Sequence, residues 1–203
     1  MLFRSVAFLC TRVQAPTDHD WKKLLRLMKY LRKTKDLYLT LSADGSLRLS
    51  WYADAVFAVH KDFKSHTGGT VTMGKGSMFS MSIKQKINTR SSTDAELVAA
   101  DDIAGLLLWS REFLRDQGYD YDVTLYQDNQ STKILLENGK ASSSKRTRHI
   151  NIKYYFLTDR ISNKELSVVY CPTEEMIADY FSKPLQGQKF IKFRNMVLNI
   201  DQE

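Results

Sequence analysis

The stretch TLYQDNQSTKILL (residues 124–136) decides how the chain is read. Val123 and Leu125 alternate with polar neighbours as strand residues do, whereas Ile134, Leu135 and Leu136 carry the denser apolar pattern of a helix. Asp128 and Asn129 stand where the strand hands over to the helix. A carboxylate there either caps the helix or carries a charge aimed at a partner, and the local residues leave both readings open.

Upstream, LRLSWYADA (47–55) alternates in the same way. Leu47, Leu49, Trp51 and Ala53 share one face, and Arg48, Ser50, Tyr52 and Asp54 the other. With LYLTL (37–41) and the turn pair Asp44-Gly45 before it, this segment predicts a hairpin. Two more strand candidates, TVTM and SMFSMSIKQ, are punctuated by Gly68-Gly69 and Gly74-Lys75-Gly76. A long helix is predicted from about Ser92 to Asp116, buried through Leu97, Ala100, Ala104, Leu107, Leu108 and Leu114 and ended near Gly118.

Beyond residue 136, the basic link SSSKRTRHINIK leads into a helical stripe of Ile150, Tyr154, Leu157 and Ile161. A strand (LSVVYC, 166–171), a short helix in TEEMIADYFSKPL and a last helix over 189–198 follow. Near the start, Thr17 and Asp20 form a capping pattern before a helix with an apolar face of Trp21, Leu24, Met28 and Leu31. Its other face carries Lys22, Lys23, Arg26, Lys29 and Arg32. A strand block feeding alternating strands and helices implies an α/β fold, a mixed sheet covered by helices.

With 203 residues, 43% of them hydrophobic, the chain can bury one good core and carry an appendage. The net charge of +7 suits a polyanionic partner as well as it suits an ordinary basic domain. Cys10 and Cys171 stand far apart with no C-x-x-C pair, which argues against a disulfide framework or zinc knuckle and for an intracellular setting, cytoplasm or nucleus. No apolar run approaches the ~20 residues of a membrane helix, and MLFRSVAFLCTRVQ reads as a helix from a larger fold rather than a signal peptide.

Four acids occupy comparable places: Asp54 after the first core strand, Glu96 in the first turn of the long helix, Asp128 after the fourth strand and Asp179 in the short helix. Separations of 42, 32 and 51 residues exclude a local calcium loop. Taken singly, each has an ordinary role as a turn, helix-terminus, cap or surface residue. Brought together they repel, and persist only with cations or raised pKa values. Hard divalent ions held by oxygens, two of them about 3.5–4 Å apart, are the usual solution in phosphoryl displacement.

In order, WYADA, HTGG, SIKQK, SSTDAEL, YQDNQS, KRTRHI and PTEEMIADYFSKPL closely resemble the ribonuclease H domain of copia-type LTR retrotransposon polyproteins. The resemblance divides the chain into residues 1–45, the C-terminal end of a preceding reverse transcriptase; 46–187, the ribonuclease H domain; and 188–203, a helical tail. It implies a ribonuclease H-like fold: a five-stranded mixed sheet of order 3-2-1-4-5 flanked by helices, with an N-terminal helical appendage. By position, Asp54, Glu96, Asp128 and Asp179 become the catalytic acids and the ligands of two Mg²⁺ ions, for which Mn²⁺ can substitute. Ser92, Thr93 and Asn129 become contacts to an RNA–DNA hybrid, Ser92 and Thr93 serving equally well as helix caps. Lys145, Arg146, Arg148 and His149 form a signature expected at the nucleic acid, the three cations on backbone phosphates. The implied activity is metal-dependent endonucleolytic cleavage of the RNA strand of the hybrid during reverse transcription, with the hybrid and a reverse transcriptase body as partners and no membrane. No pair of polymerase aspartates is present. The loop CPTEE lacks the His that cellular ribonucleases H carry before the last acidic helix, so turnover is expected to be slow unless Glu174 or Glu175 takes its place.

Two other readings compete. An inactive element fragment would keep the fold as a binding or scaffold module. A transposase or integrase would use two Asp and a Glu on the last helix, where this chain has Asp179.

Overall fold

The computed structural model describes residues 2–139 and 151–200. After α1 (Leu2–Cys10), α2 (Asp18–Lys33) begins at Thr17, whose hydroxyl accepts from the Asp20 amide while the Asp20 carboxylate accepts from the Thr17 amide, the reciprocal cap that its sequence pattern predicts. β1 (Arg48–Val56), β2 (His66–Thr72) and β3 (Phe79–Lys84) then form an antiparallel meander. α3 (Ser92–Asp116) carries the chain across to β4 (Asp122–Gln127), which pairs parallel with β1. α4 (Gln130–Asn138) and α5 (Asn151–Ser162) lead to β5 (Ser167–Tyr170), parallel to β4, and α6 (Asp179–Ser182) and α7 (Gly187–Leu198) follow. The sheet order is β3-β2-β1-β4-β5, the mixed five-stranded arrangement expected.

Alternation along β1 sorts its residues between two layers. Leu49, Trp51 and Ala53 are buried with Leu97, Ile103 and Leu107 of α3, Leu125 of β4, Leu136 of α4 and Leu157 of α5 in the main core. The opposite face carries Tyr52, stacked on Tyr126 of β4 at 4.6 Å, above Cys171, Met176 and Ala178. Beside it, Tyr180, Phe181, Phe190 and Phe193 pack with Tyr30 of α2, and Phe3 of α1 meets Phe181 edge-on.

Four local expectations need correction. Residues 37–41 are not a strand paired with β1, because β2 and β4 already occupy both of its edges; Tyr38, Leu39 and Leu41 are exposed and only Ser42 makes a bridge, to Lys75. Gly68 and Gly69 lie inside β2 rather than at its end. The α2 stripe is turned outward: Trp21 and Met28 are exposed, and the helix meets the body through Leu27 and Tyr30. The last acidic helix is only the four residues of α6.

Candidate active site

Asp54 stands two residues before the end of β1, and Asp128 directly follows β4. These strands are parallel neighbours in a register that pairs Tyr52 with Tyr126, so both carboxylates reach the same end of the sheet. Asp179 opens α6 from the other side. One oxygen from each of the three lies within 4.8 Å of the others.

Gly68 is what lets α6 reach them. It pairs with Asp54 across β1 and β2, and a Cβ placed on it would sit 2.5 Å from the Ser182 amide nitrogen. Any side chain would push α6 off the strand, taking Asp179 with it.

Glu96 is the buried fourth acid. It lies in the second turn of α3, since Asp94 takes the first-turn position and accepts from the Arg90 amide. Its Oε2 has no hydrogen-bond partner among the described residues. Burial pushes its pKa well above the carboxylate range, and Asp54 and Asp128 push it further.

Burial likewise raises Asp54 to about 7, with Asp179 and Asp128 adding to the rise and Lys183 and Ser182 opposing it. Asp128 is also raised, chiefly by burial. Lysines supply the balancing charge. Lys183 Nζ lies 3.1 Å from Asp54 Oδ1 and 2.6 Å from Asp179 Oδ1, and Lys189 Nζ lies 3.0 Å from Asp179 Oδ2. Burial lowers the Lys183 pKa, but Asp54 and Asp179 more than offset this and raise it. Ser182 Oγ donates to Asp54 Oδ2, and Thr173 Oγ1 donates to Asp128 Oδ2 at 3.2 Å, orienting both carboxylates.

This donor set fits a hard divalent cation. The ligands are carboxylate oxygens on strand ends and helix starts, an ammonium already sits where positive charge is demanded, and Glu96 Oε2 has no hydrogen-bond partner among the described residues.

The remaining predicted contacts are placed less uniformly. Ser91, rather than Ser92 or Thr93, caps α3, leaving Ser92 exposed and Thr93 half-buried at its start. Asn129 caps α4, its Oδ1 accepting from the Thr132 amide at 3.1 Å. The cap left open at the strand–helix handover therefore belongs to Asn129, and Asp128 is released to face the other acids. Lys145, Arg146, Arg148 and His149 lie outside the described residues. Sequence reasoning missed Gly68, Ser182 and Lys183; the Asp179 to Lys183 spacing, one helical turn, was the available signal for the last.

No family model matches the chain. Over 185 residues, 90% of its length, it is 31% identical to the retrovirus-related Pol polyprotein from transposon RE2 of Arabidopsis thaliana. Over 187 residues, 91% of its length, it is 28% identical to that from transposon TNT 1-94 of Nicotiana tabacum. Its homologues are the retrovirus-related Pol polyproteins of copia-type transposons. The chain spans 13% and 14% of the length of these two Pol polyproteins. Among solved structures, it is similar to LC11-RNase H1 in complex with RNA/DNA hybrid, with a TM-score of 0.46 and 14% identity over 64% of this chain and 88% of that one. It is also similar to the PFV RNase H domain, with a TM-score of 0.42 and 14% identity over 75% of this chain and 90% of that one.

Proposed function

We propose that the chain is a metal-dependent endonuclease that hydrolyses the RNA strand of RNA–DNA hybrids in retrotransposon reverse transcription. The observation that carries this reading is the convergence of Asp54, Asp128 and Asp179 within 4.8 Å, with the buried Glu96 keeping one carboxylate oxygen, Oε2, without a hydrogen-bond partner among the described residues. Homology to part of Pol polyproteins supports the biological setting.

Asp54, Glu96, Asp128 and Asp179 would hold two Mg²⁺ ions, with Mn²⁺ able to replace them. Bound there, such ions supply Lewis-acid stabilisation to the attacking and leaving oxygens. The chain's own contribution is to hold the carboxylates ready: Ser182 and Thr173 fix their orientation, and Lys183 supplies countercharge until a divalent ion replaces it. In the reaction, a water oxygen bonds to phosphorus and the P–O3′ bond breaks, leaving a 5′-phosphate and a 3′-hydroxyl. Ser92 and Thr93 would meet the hybrid's minor groove, where the 2′-hydroxyl distinguishes RNA from DNA. Asn129 keeps its amide nitrogen for the backbone, and Lys145, Arg146, Arg148 and His149 would extend the phosphate contacts.

In this reading residues 46–187 are the nuclease, residues 188–203 its helical tail, and residues 1–45 the end of a reverse transcriptase. Exposed Trp21, Leu25 and Met28 on α2 support a reverse transcriptase body as the partner of that face.

The test is cleavage of an end-labelled hybrid, beside single-stranded RNA and duplex DNA, with Mg²⁺ and with EDTA. Cleavage of the hybrid's RNA strand alone, abolished by EDTA, is the expected result. A folded protein that cuts nothing would leave the binding-module reading in its place.

A further inference from the structure

α6 carries Asp179, yet with four residues it closes a single turn, and so short a helix takes its position from what it packs on. Its last carbonyls are taken by side chains of two other elements. Ser82 of β3 donates its hydroxyl to the Phe181 carbonyl at 2.6 Å, and Arg4 of α1 donates Nε to the Ser182 carbonyl at 3.0 Å. β2 gives no side chain at that level, because Gly68, the partner of Ser82 in the register, leaves its room to the α6 backbone.

Behind Ser82 stand two buried histidines. His66 Nε2 lies 2.8 Å from Ser82 Oγ, and His60 Nε2 lies 3.1 Å from His66 Nδ1. The direction of this chain is fixed from its far end. A carbonyl oxygen can only accept, so Ser82 gives its one proton to Phe181. Ser82 Oγ must then accept from His66 Nε2–H, which leaves His66 Nδ1 to accept from His60 Nε2–H. A second proton on His66 would abolish the bond to His60. Burial, reinforced by Arg4, keeps both rings below the usual imidazole range, His66 at about 3. Lys84 and Arg12 act on His60 in the same sense; Asp62, which opposes them, is itself held by Lys84 at 2.7 Å.

We propose that His60 and His66 are positioning residues for the acid cluster: two neutral imidazoles in relay hold the Ser82 hydroxyl on Phe181 and thereby seat α6, with Asp179, over β2. A lone serine hydroxyl turns among the acceptors within reach. One that already receives an N–H from one side must point its proton elsewhere, and here the Phe181 carbonyl is in line. The histidines act through that carbonyl, two residues along the chain from Asp179. The same seat matters to Asp54, which pairs with Gly68 across the strands and receives the Ser182 hydroxyl. The proposal rests on the reading of Asp179 as a metal ligand.

The test compares wild type, Ser82→Ala, His60→Leu and His60→Gln as whole chains. Gln keeps a side-chain N–H donor for His66 Nδ1, and Leu removes it. Long-range nitrogen–proton NMR of the imidazole rings reads the tautomers, and calorimetric titration of Mg²⁺ at pH 8 reads the seating of Asp179. In wild type His66 should carry its proton on Nε2 alone, unchanged from pH 7 to pH 5. Ser82→Ala should raise the Mg²⁺ Kd about tenfold and His60→Leu about threefold, with His60→Gln within about twofold of wild type. A proton on His66 Nδ1, or wild-type Mg²⁺ affinity in Ser82→Ala, would overturn the proposal. So would a lower Tm in both His60 variants with Mg²⁺ affinity unmoved, the mark of mere packing. Ser82→Ala removes one hydroxyl from a half-buried position, so it carries the test if His60→Leu fails to fold. Wild-type protein with the Nε2 tautomer that binds no Mg²⁺ would overturn the metal-site reading, and the proposal with it.

Discussion

Buried charges meet α6 at both its ends, the acids at its start and Arg4 at Ser182, and they are accommodated by opposite rules. The acids are balanced from within: Lys183 and Lys189 reach Asp54 and Asp179, and Ser182 and Thr173 fill hydrogen-bonding positions. Among the described residues Arg4 has no such balance. Carboxylates on neighbouring strand ends repel unless cations accompany them, so folding without metal needs the internal lysine; the single Arg4 guanidinium is held instead by the Ser182 carbonyl. The acid site is therefore prepared for exchange of one cation for another, whereas Arg4 serves the backbone at the end of α6.

The strongest way to break the acid half of this comparison is to remove one ligand while keeping its shape. Asp128→Asn should lower hybrid cleavage by about 10²–10³-fold or more with an unchanged circular dichroism spectrum; near-normal cleavage would take Asp128 out of the mechanism. Next comes the packing that assembles the site. Gly68→Ala forces a Cβ against the backbone of α6, and should cost about 1–3 kcal/mol in denaturant unfolding and weaken Mg²⁺ binding as well. A stable variant with wild-type metal affinity would show that α6 does not need that close approach.

Lys183→Met tests the exchange itself. Without metal it should lower Tm by roughly 2–4 °C, corresponding to about 1–2 kcal/mol, and saturating Mg²⁺ should recover most of the loss. A deficit unaffected by Mg²⁺ would mean that the lysine is purely structural.

Smaller effects appear with pH, and the two signs differ. Burial, aided by Arg4 and His60, lowers His66 from 6.5 to about 3. The folded state therefore binds fewer protons than the unfolded chain in that window, and stability complete above pH 6.5 is lost as pH falls towards 3. Asp54 is raised from 3.8 to about 7, so its contribution is present below 3.8 and lost as pH rises through 7. Metal-free protein should be squeezed from both sides, with Asp54→Asn relieving only the alkaline loss in a Tm series over pH 4–9. An identical profile in that variant would contradict the burial of a strained carboxylate at Asp54. Smallest of all, Ser91→Ala should cost about 1 kcal/mol as a lost cap while Ser92→Ala costs less, measured by denaturant titration.

Much of this was legible in the chain itself. Period-two alternation marked β1 and its faces from Leu49 onward, Leu47 falling just before the strand and exposed, and the helical spacing of Leu97, Ala100, Ala104 and Leu107 marked α3 within its observed bounds. The four acids were legible because each falls at or near an element's end or start, Glu96 one turn into α3, and three of them meet. Pairing was harder to read. LYLTL has the residues of a strand, but whether β1 has a free edge depends on β2 and β4, which arrive from elsewhere in the chain. The outward turn of Trp21 and Met28 was hidden for the same reason, since periodicity gives a helix two faces without saying which one meets the body. Gly68 looked like punctuation because its role lies in a contact with Ser182, more than a hundred residues away.

The most direct measurement is a calorimetric titration of Mg²⁺ into wild-type protein at pH 8, repeated on Asp54→Asn. Saturable binding is expected in wild type and its loss in Asp54→Asn. Binding that survives unchanged in Asp54→Asn, or that is absent from folded wild-type protein, would contradict a divalent-cation site built from these acids.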